Sequence, residues 1–224
     1  MAVIKEQIDV ILNLVTKGIS NYDKEIEEES GIKIGFEKTG MIRPALNEEQ
    51  EEFLGNIYDW QRQLNLEIEF LKGKAVRQKE PLLSEKVESE LYIRNDHSVN
   101  NRKLVDALIK ICKKNKVQIK EKTAVENFIM RNDEVVGVQA HGKKIEADIV
   151  VNAAGAWSSK IPETNFGVQP VGGQMVSLHA PNKPLKHVIF SCDMKRDPYI
   201  IPRNGEILIG ATMEKNGFNK DVRK

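Results

Sequence analysis

The sequence predicts a mixed protein, α/β shading into α+β, with helices early and a mainly antiparallel sheet late. Three observations predict it. Apolar residues recur with a helical period in the first half of the chain. From residue 117 the period changes to two. Turn residues then punctuate short strand patterns down to residue 212. A chain of 224 residues can bury a core without disulfide or metal staples, and its length suits one large domain or two small ones.

The elements follow in order. Residues 2–17 carry Ile4, Ile8, Ile11, Leu12 and Val15 as one helical stripe, with Gly18 as the expected stop. Residues 20–30 are acidic and helix-prone and end at Gly31. Residues 32–45 break into short apolar runs at Gly35, Gly40 and Pro44, which reads as strands. Asn47 followed by Gln50 resembles a capping box and opens a helix whose face carries Phe53, Leu54, Ile57, Trp60 and Leu64. LEIEFLK (66–72) and LYIR (91–94) read as strands. Asn100 or Asn101 caps a helix with Leu104, Leu108, Ile109 and Cys112 expected inward, and lysines gather at its end, where the helix dipole favours them. VQIK (117–120) and three further segments to residue 154 read as strands, with RNDE and HGKK as tight turns. The segments up to EILIGAT complete the sheet, the last two joined at Asn204-Gly205.

Composition narrows the function. Lys+Arg 34 against Asp+Glu 33 leaves a net charge of +1, so no global basic field draws the chain to nucleic acid. The lysines at 110–122 lack interleaved aromatics and read as a solvated face. Cys112 and Cys192 cannot form a disulfide framework, and no apolar run approaches a membrane span. The expected setting is the reducing cytoplasm. No two of the fifteen glycines are spaced i, i+2, so no G-x-G-x-x-G turn exists within these residues. His97, His141, His179 and His187 have no metal-binding spacing, and no metal is expected. No nucleophile elbow occurs.

Two stretches stand out. DIVVNAAGAWSSKI (148–161) reads as a buried strand, a turn almost without side-chain bulk at 152–155, and a helix start. Such a turn lets a phosphate or sugar approach the backbone; it is equally what a strand-to-helix turn looks like when protein packs on it. YIIPRNGEILIGATME (199–214) reads as a hairpin in which Tyr199, Arg203 and Met213 either line a pocket or fill core.

Together these segments resemble the FAD-dependent D-amino acid oxidase superfamily, and most closely the glycine oxidase branch used in bacterial thiamine biosynthesis. VVNAAGAWS (150–158) is similar to its flavin-side turn, PVGGQMVSL (170–178) to its P-V-[RK]-G-Q-M segment, and residues 199–219 to its Y-[IV]-V-P-R…G-A-T-x-E…G-[FW] hairpin. GIKIGFEKTGMIRPA (31–45) and EPLLS (80–84) are similar to its early substrate-domain segments. Gly172 departs from the pattern, since relatives often carry Arg or Lys there. The family's opening G-x-G-x-x-G unit and closing G-[LW]-R-P segment are not found, so the chain is expected to be an internal fragment.

The resemblance implies a partial FAD-binding domain plus a substrate domain whose mainly antiparallel sheet is flanked by helices. It divides the chain into 1–97 and 166–224 for the substrate domain and 98–165 for the FAD-binding remnant. It implies oxidative deamination of glycine or a small D-amino acid to the imino or keto acid, with hydrogen peroxide formed. Tyr199 and Met213 would be the substrate-side residues. Val125, Ala153, Ala154 and Gly155 would approach FAD, with Trp157 packing behind. FAD is expected to be held weakly by the fragment, which is expected to be inactive alone and sticky, with a homo-oligomer left open. The alternatives are a sarcosine, D-amino acid or 2-hydroxy acid oxidase or dehydrogenase on the same scaffold, or a non-catalytic module that retains the fold.

Overall fold

The computed structural model describes residues 22–162, 167–182, 185–193 and 198–222. The amphipathic stretch expected at 2–17, with its stop at Gly18, lies outside the described residues. Residues 22–30 form helix α1. Three more α-helices follow, α2 over Glu48–Gln63, α3 over Lys74–Lys79 and α4 over Asn101–Lys114. The strands are β1 Met41–Ala45, β2 Ile68–Lys72, β3 Ser89–Ile93, β4 Val125–Arg131, β5 Glu134–Ala140, β6 Lys143–Glu146, β7 Val176–Ala180, β8 Val188–Phe190, β9 Tyr199–Arg203 and β10 Gly205–Gly210. A 3-10 helix covers Gly155–Lys160.

The chain divides into two compact units. The first runs to Gln118 and resumes over Val176–Ile209; the second comprises Ile119–Met175 and Gly210–Lys224. In the first, seven strands lie in the order β2-β3-β1-β8-β9-β10-β7. Every pair whose register is resolved is antiparallel except β1 with β8, which run parallel. The expected mainly antiparallel sheet flanked by helices is therefore present.

Period-two alternation sends Leu91 and Tyr92 to opposite faces of this sheet. Leu91 joins Ala45, Leu54 and Cys192, with Phe53 and Ile57 of α2 packed against them. Tyr92 joins Ile42 and Ile189, with Leu71, Leu83 and Ile200 around them. Gly40 makes the second cluster possible. Its φ is +68°, and a Cβ there would lie 2.7 Å from the Tyr92 ring.

Both expected helix starts are capped by asparagine. Asn47 Oδ1 accepts the Gln50 N–H at 2.9 Å, while Gln50 Oε1 reaches back to the Leu46 N–H at 2.8 Å. Asn100 Oδ1 accepts the Lys103 N–H at 3.2 Å. The inward face of α4 differs from expectation. Ala107 is fully buried against Ile26 and Ile34, flanked by Leu104 and Ile111, whereas Leu108 and Ile109 are exposed. The small alanine allows close approach, which swings the stripe to 104–107–111.

The second unit is built on the meander β4-β5-β6. Asn132-Asp133 and His141-Gly142 make its turns with both central residues at positive φ, as a two-residue hairpin of type I′ requires. The strands expected at 117–120 and 150–155 are absent. Both segments are apolar enough, but a strand exists only through a hydrogen-bonded neighbour, and none pairs with them among the described residues. Ile149 and Val151, expected to be buried, are each 81% exposed. No helix of the described residues is long and apolar enough to cross a membrane.

Candidate functional site: a cradle in the second unit

The site begins with Asn152. Its Oδ1 accepts the Ala154 N–H at 3.1 Å and the Ser158 hydroxyl at 3.1 Å. One oxygen thus fixes the turn and ties it to the 3-10 helix. Gly155 then takes φ of +54°, and nothing lies within 4 Å of where its Cβ would be. The left-handed backbone accounts for the glycine, and the open space accounts for the lack of bulk.

A cavity of about 640 Å³ opens over this turn. Val150–Ala154 form one side, Thr123, Ala124, Val125 and Phe128 another, and Trp157, Lys160, Ile161 and Phe218 the rest. Four of the five residues expected at the cofactor, Val125, Ala153, Ala154 and Trp157, therefore share one cavity, with Gly155 next in the chain. Val125 opens β4, an edge strand whose outer peptide groups pair with no other strand among the described residues. A bulge between Val125 and Asn127 further disturbs the ladder there.

Trp157 does not pack behind the turn. It is half exposed in the cavity wall and tilts against Phe218, ring centroids 5.5 Å apart. Lys220 Nζ lies 4.8 Å from the Trp157 ring, and Lys160 Nζ 4.4 Å from that of Phe218. Sequence reasoning missed Phe218 and both lysines. Phe218 sits in the Gly-Phe pair closing the recognised hairpin pattern, so a signal existed for it; the lysines are placed only by the fold.

Met213 is in the same unit but does not line the cavity, and is 69% exposed. Tyr199 belongs to the first unit, where its ring stacks on Phe190 at 6.0 Å and 16°. Arg43 lies 5.3 Å over the other partner of that stack, Phe190. Arg203 donates to the Val99 carbonyl at 3.2 Å and sits 3.8 Å from Glu206 across the turn. Near Gly172 the amide of Asn216 fills the space, since a Cβ on Gly172 would lie 2.6 Å from its Oδ1. A longer side chain at 172 would have to displace it.

A family model described as FAD dependent oxidoreductase matches residues 5–224. The chain belongs to this family. It is 31% identical over 205 residues to the glycine oxidase of Geobacillus kaustophilus, covering 89% of this chain and 53% of that protein. It is 28% identical over 202 residues to the hydrogen cyanide synthase subunit HcnC of Pseudomonas aeruginosa, covering 88% and 48%. Among solved structures, the glycine oxidase of Bacillus cereus aligns with a TM-score of 0.78 at 32% identity, covering 92% of this chain and 57% of that one. The chain thus spans about half the length of these relatives.

The cradle suits the flavin nucleotide that the family's description implies. The turn carries only Ala153, Ala154 and Gly155 beside Asn152, so a ligand can reach main chain. Ring faces of Trp157 and Phe218 stand beside it, with two ammonium groups close by. Asn152 Nδ2 is shielded from solvent and has no acceptor among the described residues. The cavity volume of about 640 Å³ falls within the range of small-molecule sites.

Proposed function

We propose that this chain supplies part of the cofactor site and substrate site of an FAD-dependent amino acid oxidase acting on glycine or a small D-amino acid. The proposed reaction is oxidative deamination to the imino and then the keto acid, with hydrogen peroxide as the second product. The single observation that carries the reading is the cradle, where a turn stripped of bulk, an edge strand and an aromatic wall meet over one cavity. FAD, when bound, supplies the electron-accepting chemistry, and the protein supplies binding and orientation.

The proposed roles of the chain's own residues join what the family resemblance implies to the geometry of the cradle. Val125 offers backbone N–H and C=O groups to the adenine. Ala153, Ala154 and Gly155 let the cofactor meet the main chain. Trp157 and Phe218 contribute ring faces, and Lys160 and Lys220 contribute positive charge. Tyr199 places its hydroxyl near the substrate carboxylate, and Met213 walls the substrate pocket. Holding the α-carbon in reacting geometry is most of the catalytic problem. Residues 98–165 go with the cofactor side under this reading, joined at the cradle by Phe218 and Lys220, and 1–97 with the rest of 166–224 go with the substrate side.

Without a G-x-G-x-x-G turn among the 224 residues, the helix N-terminus that best neutralises a pyrophosphate is lacking here. FAD binding by these residues alone is therefore weak, and the chain alone is inactive. A second reading is a non-catalytic module that retains the fold.

Trp157 gives the test. Titrating FAD into the chain should quench tryptophan emission saturably, with a dissociation constant weaker than micromolar. Replacing Ala154 with Trp should remove the saturable part. Absence of quenching at saturating solubility would sink the cradle reading, and a yellow protein with stoichiometric flavin would sink the weak-binding one. Peroxide release from glycine, sarcosine, D-alanine and a 2-hydroxy acid by the complete gene product separates the substrates. Peroxide from none of them, together with no substrate-dependent reduction of an added artificial electron acceptor, favours the module.

A further inference from the structure

The seven-stranded unit holds a cluster of titratable groups that the proposed reaction does not use. Glu80 follows the end of α3 and Glu90 lies in β3, and both side chains are 0% exposed. Their surroundings differ. Glu80 Oε2 accepts the N–H of Lys186 at 2.9 Å and that of His187 at 3.3 Å, and lies 3.2 Å from His187 Nδ1. Its Oε1 has no partner among the described residues. Glu90 has nothing comparable, for neither of its oxygens has a hydrogen-bond partner among the described residues. Its register neighbours are Pro44 on β1 and Leu71 on β2, neither of which carries a donor in its side chain.

The charged and titratable groups around Glu90 come from four elements. Lys79 of α3 is engaged elsewhere, with its Nζ 3.3 Å from Glu69 of β2 and 3.8 Å over the ring of Tyr92 of β3. His187, entering β8, meets the Tyr92 ring edge-on at 5.5 Å. Glu80 adds a second buried carboxyl. β9 contributes only the apolar Ile200 to this cluster. The donors in the neighbourhood are thus taken by Glu80 and Glu69, and Glu90 is left in an apolar layer beside a like group. Burial pushes its carboxyl up to about 7; Lys79 opposes the rise and Glu80 adds to it. An unpaired carboxylate in such a place is strongly disfavoured, and the group instead keeps its proton.

We propose that Glu90 is a proton-sensitive element of the seven-stranded unit, carried in the folded sheet as a neutral acid beside the Glu80–His187 pair, and that loss of its proton loosens the packing of β3 under α3. The idea does not depend on the proposed oxidase activity. Its sign is fixed by linkage. The folded-state value lies above the ordinary 4.5, so the stabilisation is complete below about pH 4.5. It is lost progressively as pH rises to about 7, and no further loss from Glu90 follows above that.

The test is urea unfolding of the chain between about pH 5 and about pH 8.5, comparing the native protein with Glu90→Gln and Glu90→Leu. The native unfolding constant should rise across this window by up to on the order of a hundredfold more than that of either variant. Both variants should be more resistant to urea than the native protein at the alkaline end. Equal slopes for native protein and variants would overturn the proposal. A carbon-13 titration of the glutamate carboxyls in the native chain supplies the answer if the variants do not fold. One resonance titrating near neutrality supports the proposal, and all of them titrating in the usual carboxylate range overturns it.

Discussion

At the scale of single residues, Asn152 organises the cradle out of proportion to its size. One oxygen takes two donors, from Ala154 and Ser158, so the turn and the 3-10 helix share a single hinge point. Asn152→Ala removes both contacts and should cost about 1–2 kcal/mol, seen as a lower urea midpoint. It should also weaken FAD-dependent quenching of Trp157, because the turn no longer presents its backbone in a fixed shape. Gly40 shows the complementary logic, in that its missing Cβ is the room occupied by Tyr92. The special glycines and the small-residue turn were visible in the sequence. Glu90 was not, because the strand read from the sequence began at Leu91 and left it outside, whereas β3 takes it in and the fold buries it.

At the scale of elements, the parts with local chemistry were legible and the parts needing distant partners were not. Asn47, Asn100, the two I′ turns of the meander and the Asn204-Gly205 turn each carry their own instruction within a few residues, and each forms. Asn47→Ala should cost about 1 kcal/mol by freeing the first turn of α2, measured as a shifted thermal or urea midpoint. The segments at 117–120 and 150–155 have strand-like sequences without strand structure, since pairing is a property of two segments and only one was in view. The same reason explains α4: periodicity located the helix, but the identity of its inner face depended on α1 and Ile34, which periodicity along α4 cannot register. At the cradle, the turn and Val125 were readable from their motifs, whereas Phe218, Lys160 and Lys220 became neighbours of it only through folding.

At the scale of the whole molecule, Ile149 and Val151 present apolar side chains to solvent on a segment that pairs with no strand among the described residues. Exposed apolar backbone of this kind favours association. Light scattering should therefore give a mass that rises with concentration above that of a single chain, and lysine at both 149 and 151 should suppress the rise. A concentration-independent monomer would count against it. The order β2-β3-β1-β8-β9-β10-β7 has a consequence in time as well as in space. Its middle seam joins Met41–Ile42 to Val188–Ile189, segments from opposite ends of the described chain. During synthesis the early half must wait on the ribosome, its largest sheet missing an edge, until the last quarter emerges. A nascent chain of this kind is a natural client for holding chaperones, and stalling translation before Val188 should leave it protease-sensitive.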